Sequence, residues 1–305
     1  MRYITRRATT LVAIWAGVCL LLFLSLSSRA LALDPEKAIT QYIHNWWGPE
    51  QGLTQKDIWA IVQTHDGYLW IGTMEGLLRF DGVSFTSFDK RNTPGLKQSY
   101  ILSLFVDSRG ILWIGTKGGG LTQLKDGQFT AYTTEQGLSD NTVQTITESQ
   151  DGSLWIGTNR GLTRFYEGKF TSFGTAQGLA NDSINAVKED QAGTLWIGSD
   201  GGLDVFKDGH FIRYPTVNSA DHNADPVMAI AASKTGGLWV GFHSRGLLQI
   251  KDGNQTAYTM KDGLSSDAIL SLHEDLAGVL WVGAFGGGVN RLQGARFPVF
   301  SPSDG

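Results

Sequence analysis

Cysteine is almost missing: the 305 residues contain one, Cys19. It sits inside an apolar run near the N-terminus, with Val18 before it and further apolar residues after it, which does not make a lipidation site. Once that leader is removed no thiol remains, so disulfide, iron–sulfur and thiolate–zinc chemistry are excluded from the mature chain. Membrane-length apolar runs are also missing. Residues 11–26, LVAIWAGVCLLLFLSL, make a run of 16, short of the ~17–25 that a spanning helix needs. Arg2, Arg6 and Arg7 precede the run and Ala30-Leu31-Ala32 follows it, the layout of an export signal cleaved after Ala32. The expected division is a signal peptide over 1–32 and a periplasmic domain over 33–305, the mature chain not spanning the membrane.

A basic surplus is absent too. The leader holds four of the 25 basic residues and none of the 29 acids, so the mature part carries 21 against 29, a net charge of −8. With no basic stripe left, nucleic acid is not an expected partner. Catalytic signatures are missing as well: there is no Gly-x-Ser-x-Gly elbow, no His-Glu-x-x-His and no phosphate loop ending in Gly-Lys. The six histidines show no metal-ligand spacing. The glycine-rich KGGGL and FGGGV stretches have no helix after them and read as turns. No catalytic residue, metal or cofactor is expected.

Helical periodicity is lacking after residue 50. What is present instead is a repeat. Trp70, Trp113, Trp155, Trp196, Trp239 and Trp281 follow one another at intervals of 43, 42, 41, 43 and 42 residues. A glycine stands three residues before and two after each. Branched or long aliphatics stand twelve and nine before, as in Ile58/Ile61, Val143/Ile146 and Ile184/Val187, and a small residue stands ten before. Each unit has four short apolar runs, in the third TVQTIT, LWIGT, LTRF and FTSF, punctuated by Asp-Gly or Glu-Gly turn signals. Four strands per unit at this period predict an all-β fold, a β-propeller of four-stranded antiparallel blades with six complete repeats. The six tryptophans are structural in this reading and fill the space between blades. Glu148, Glu189 and Glu274, each seven residues before its Trp, are expected to make structural hydrogen bonds at the end of an inner strand.

The phrases DGSLWIGTNRGLTRF, RGILWIGTKGGGLTQL and TTEQGLSDNTV resemble the two-component regulator propeller repeat, over essentially the whole chain after residue 37. The resemblance implies the periplasmic sensing half of a sensor histidine kinase or diguanylate cyclase. It also implies a small-molecule ligand, an oligosaccharide in some members, and a full-length sensor that can dimerise. Output domains follow such propellers and none is present here, so no enzyme activity is expected of this chain as it stands. The alternative is a secreted propeller enzyme, lyase- or lactonase-like, with an axial active site.

Recognition is sought where the copies disagree, because agreement is already explained by packing. Loops leading into the inner strand and loops joining the second and third strands are expected on one face. Their tips supply the candidate ligand-binding residues Tyr100, Lys117, Asn159, Arg160, Asp200, His243, Arg245 and Phe285, a mixture of charge, amide and ring suited to a polar ligand. Asn141, Asp182, Asp225 and Asp267 lie beside them. The linker PTVNSADHNADP at 215–226 breaks the register; it reads as a surface loop rather than a cation site.

The blade count stays open between two readings. ITQYIHNWW resembles an outer strand with no inner strands before it, and FSPSDG at 300–305 matches the start of the linkers that precede an inner strand. One reading is an incomplete seven-bladed ring, truncated before a seventh blade and the output domains. The other is a six-bladed ring in which Thr40–Ile43 pairs elsewhere or displaces Phe297–Phe300; Pro298 suits only an exposed outer edge there.

Overall fold

The structure is a computed structural model and describes residues 47–55, 57–217, 225–292 and 297–300, all within the unit Ala38–Gly305. The signal segment, the strand expected at Thr40–Ile43 and residues 218–224 of the irregular linker lie outside the described residues.

Six four-stranded antiparallel sheets follow one another, each with its strands in chain order, giving a six-bladed β-propeller. Blade 3 runs through Val143–Glu148, Leu154–Thr158, Gly161–Tyr166 and Lys169–Phe173. Its last two strands are joined by Glu167 and Gly168, both at positive φ, 48° and 78°. That is the two-residue turn whose twist matches the strands, and Gly at its second place carries no Cβ penalty. The last strand of blade 6, Val299–Phe300, pairs with Val289 and Asn290 as an outer strand, and Pro298 precedes it on the edge.

Blades are held to each other through a pattern the Trp register encodes. Trp113 is buried with Val143 and Ile146 of blade 3. Trp155 is buried with Ile184 and Val187 of blade 4, and Trp239 with Ile269, against Leu272, of blade 6. The aliphatics twelve and nine residues before one Trp thus form the receptor for the Trp of the preceding blade. The glycine two after each Trp clears the same seam: a Cβ on Gly157 would stand 2.7 Å from Ile184 Cγ2. Linker leucines Leu96, Leu138, Leu179 and Leu264 are buried plugs in four seams.

The recurring acids act as latches between blades. Glu148 accepts from the amide and hydroxyl of Ser108 in blade 2, at 2.7 and 2.9 Å. Glu189 accepts from the Gln150 amide at 2.6 Å, and Glu274 from the Lys234 amide at 2.7 Å. A second polar contact anchors the outer linkers. Thr163, Asp204 and Asn290, each facing the residue after a Trp, accept from the amides of Ser139, Ala180 and Ser265.

The seam between blades 6 and 1 differs from the other five. Inner strands of successive blades pack side by side from blade 1 to blade 6, and no comparable contact joins the inner strands of blades 6 and 1. Ile58 is 45% exposed and Ile61 60%, whereas Ile101, Val143, Ile184, Val227 and Ile269 are fully buried.

Candidate functional site

The two loop sets meet on one face, as the repeat arithmetic requires. One backbone hydrogen bond ties them in five blades. The amide four residues after the Trp donates to the carbonyl thirteen before it: Lys117 to Tyr100, Asn159 to Thr142, Asp200 to Ser183, His243 to Pro226 and Phe285 to Ala268, at 2.8–3.3 Å. This bond sets Lys117, Asn159, Asp200, His243 and Phe285 around one mouth, all of them exposed.

The structure brings several of the sequence candidates together. Lys117 Nζ lies 5.0 Å over the Tyr100 ring, and Tyr100 in turn packs on Trp59, ring centroids 5.7 Å apart. The exposed Trp59 and the half-buried Tyr100 thus form an aromatic pair with a cation over the Tyr100 ring, a surface that can take a sugar face or another flat polar ligand. Asn159 Oδ1 accepts from Gln144 Nε2 at 2.8 Å, and Asp200 Oδ1 accepts from Asn185 Nδ2 at 2.9 Å. Gln144 and Asn185 were not among the sequence candidates. Both stand eleven residues before a Trp, on the inner strand, where the copies also disagree: Trp59, Leu102, Gln144, Asn185, Met228 and Leu270.

Other candidates sit apart. Arg160 pairs loosely with Asp140 at 4.0 Å and lines a 310 Å³ groove with Ser139, Phe173, Thr175 and Asp182, near the rim rather than the axis. Arg245 is half-buried, and Phe285 is 70% exposed beside the open seam. Asn141, Asp182 and Asp267 use their side-chain oxygens locally. They accept from the amides of Thr134, Thr175 and Met260, at 2.9, 2.7 and 2.7 Å, and so cap the linker turns. Asp225 likewise holds the amide and hydroxyl of Ser244.

Two larger depressions open on the opposite face, where the turns after the first and third strands lie. One, of about 580 Å³, falls between blades 1 and 2 and is lined by Trp70, Arg79, Phe88, Arg109 and Phe129 among others; Arg79 stacks over Tyr68 at 4.6 Å. The other, of about 440 Å³, is lined by the latch residues Ser108, Glu148, Gln150 and Glu189. Among the described residues no group of three His, Cys, Asp or Glu side chains could hold a metal ion, and no helix is long and apolar enough to cross a membrane.

Similarity to known proteins agrees with this architecture. The virginiamycin B lyase of Staphylococcus aureus is 15% identical, with 78% of this chain and 81% of that one covered at a TM-score of 0.64. PorZ, a bacterial surface component of the type-IX secretion system of Porphyromonas gingivalis, is 18% identical over 78% of this chain and 38% of its own, at a TM-score of 0.62. The WD40 propeller domain of Doa1 is 15% identical over 81% and 83%, also at 0.62. At these identities the likeness is one of fold. No curated protein matches the chain. The two-component regulator propeller family matches residues 52–75, 95–118, 137–160 and 178–201, each stretch running from a linker through the inner and second strands to the mouth loop. The chain thus carries the two-component regulator propeller repeat in its first four blades, the family that its Trp-Gly phrases resemble.

Proposed function

We propose that this propeller is the ligand-sensing module of a two-component-type signalling protein, a sensor histidine kinase or diguanylate cyclase, exported to the periplasm and non-catalytic in itself. The regulator repeat in blades 1–4 supports the class. The observation that carries the site is the mouth: the packing code shared by all six blades stops there, and Trp59, Tyr100, Lys117, Asn159 and Asp200 take its place on a rigid rim. Rings for stacking, with amide and charged groups beside them, fit a small polar ligand such as an oligosaccharide. An axial active site of lyase or lactonase type calls for convergent His, Asp or Glu on the inner strands. The side chains eleven before each Trp are instead aromatic, aliphatic or amide.

The test is a thermal-shift panel of chito-, cello- and galacturono-oligosaccharides on the purified exported chain, with metal analysis of the same preparation. A saccharide that raises the melting midpoint, and stops doing so in Tyr100→Ala and Lys117→Ala but not in the outer-strand variant Lys169→Ala, supports the reading. Undiminished shifts in both mouth variants would move the site elsewhere. Stoichiometric calcium or manganese would favour the enzyme.

A further inference from the structure

At two neighbouring seams a ring on the next blade's third strand closes the space beside the Trp. Phe165 lies 5.7 Å from Trp113, and Phe206 lies 5.4 Å from Trp155. Those rings stand opposite Leu154 and Leu195 in their own blades, whereas Leu124 stands opposite Leu112 in blade 2. The shorter side chain leaves the cavity of about 580 Å³ beside Trp70, walled also by Phe88 and Phe129. A second departure lies in the residue paired with the Trp. Arg164, opposite Trp155, is held by Asp151 at 2.7 Å and by Ser153 at 2.8 Å. Arg79, opposite Trp70, has Asp66 at the place of Asp151 but Tyr68 at the place of Ser153. Its guanidinium lies over the Tyr68 ring at 4.6 Å, with the Trp70 and Phe88 rings each 5.9 Å away. Among the described residues it has neither a carboxylate partner nor a hydrogen bond. Asp66 is engaged elsewhere: the Trp70 indole donates to the Thr64 hydroxyl at 3.1 Å, and that hydroxyl donates to Asp66.

We propose that this cavity is a second ligand site, on the face opposite the mouth, for a small molecule carrying one carboxylate on an aromatic ring. The N–H fork of Arg79 takes the carboxylate. The ligand's ring takes the place that Phe165 and Phe206 fill at the next two seams, against Trp70 and Phe129. Arg109, paired with Asp107 and itself exposed, brings a second guanidinium to the wall. Asp66 and Asp126 line the cavity too, so a phosphate or other multiply charged anion is disfavoured and a single negative charge fits. The volume lies within the ~300–1,000 Å³ of small-molecule sites.

The experiment titrates phenylacetate into the purified exported chain by calorimetry, with the melting midpoint of every variant measured alongside. Benzylamine, which has the ring and the opposite charge, and acetate, which has the charge and no ring, are the comparison probes. Phenylacetate binds saturably and both comparison probes bind far more weakly. Arg79→Gln weakens phenylacetate by about tenfold or more, the loss of a charge-assisted pair. Leu124→Phe supplies the ring found at the next two seams, so it abolishes binding and keeps or raises the melting midpoint. Arg164→Gln, the same residue type at the same register but already paired, leaves binding unchanged. The proposal is overturned if millimolar phenylacetate shows no saturable binding, or if benzylamine or acetate binds as tightly. It is overturned equally by undiminished binding in Arg79→Gln or in a folded Leu124→Phe.

Discussion

The Trp113 indole donates to the Asp107 carboxylate at 3.1 Å, and both side chains are out of solvent. The same carboxylate accepts from the Ile111 amide at 2.9 Å and from Arg109 at 2.8 Å. Trp196 and Trp281 repeat the arrangement with Asp190 and Asp275, so the acid fixes the ring that wedges the seam. Burial pushes the Asp107 carboxyl up, yet the Trp113 indole, the Ile111 amide and the Arg109 guanidinium outweigh it and hold the group below its ordinary value. A folded-state pKa depressed in this way adds stability that is complete above the unfolded value of about 4 and lost as pH falls through the folded value. Asp107→Asn should therefore cost about 1–3 kcal/mol at neutral pH. Its deficit against the natural chain should shrink below about pH 4. Chemical denaturation of both proteins on either side of that pH measures it.

Asp204 predicts the opposite slope. It is buried, one oxygen accepts from the Ala180 amide at 2.9 Å, and the other has no hydrogen bond, with Arg213 3.7 Å away. Burial raises its pKa against the pull of Ala180 and Arg213. A raised folded-state value means that the folded chain binds the proton more tightly, so stability falls as pH rises through it. Blade 6 solves the same problem with Asn290, which accepts from Ser265 and donates to its hydroxyl at 2.8 Å. Asp204→Asn should raise the melting midpoint at neutral pH, by an amount corresponding to about 1 kcal/mol, and the gain should fade on acidification. A gain that grows as pH drops would contradict the assignment.

The sequence made the scaffold readable because its cause is periodic. A Trp every 41–43 residues with glycines in fixed register can only be a stacked unit, and the latches at Glu148, Glu189 and Glu274 follow from the same register. The mouth was readable in outline, since Tyr100 and Lys117 do meet. It was blurred in detail because variable position and free side chain are different things. Asn141, Asp182 and Asp267 vary and sit at loop tips, yet their oxygens cap linker turns. Gln144 and Asn185 were hidden in strands read as packing, and the amide at an otherwise apolar inner position was the available signal. The bare seam could not be read from residue types at all, because Ile58 is exposed and Ile101 is buried though both are isoleucine at the same register.

The division between wedge and rim has its own test. Trp155 is buried against Ile184, Val187 and Phe206, with the Phe206 ring 5.4 Å away, so Trp155→Ala should cost ~3–5 kcal/mol, the range for large core truncations. Arg160 is exposed and only loosely paired, so Arg160→Ala should stay within about 0.5 kcal/mol. Comparable losses from the two variants would mean that the rim helps to hold the blades.

The glycines two after each Trp give the sharpest contrast between a filled and an unfilled seam. A methyl on Gly157 would press on Ile184 across the seam at 2.7 Å, with Thr145 crowding it from its own blade. Neither wall can withdraw without opening the sheet-to-sheet contact, so Gly157→Ala should cost about 1–3 kcal/mol, the usual toll of overpacking. Among the described residues, the three atoms nearest to a methyl on Gly283 all belong to Ser271 of its own blade, and the tight one is the hydroxyl oxygen, which can turn away about its χ1. Gly283→Ala should therefore cost distinctly less than Gly157→Ala in the chain as it stands. Paired urea melts of the two variants decide the matter: equal midpoints would mean that blade 6 already faces a packed neighbour across that seam.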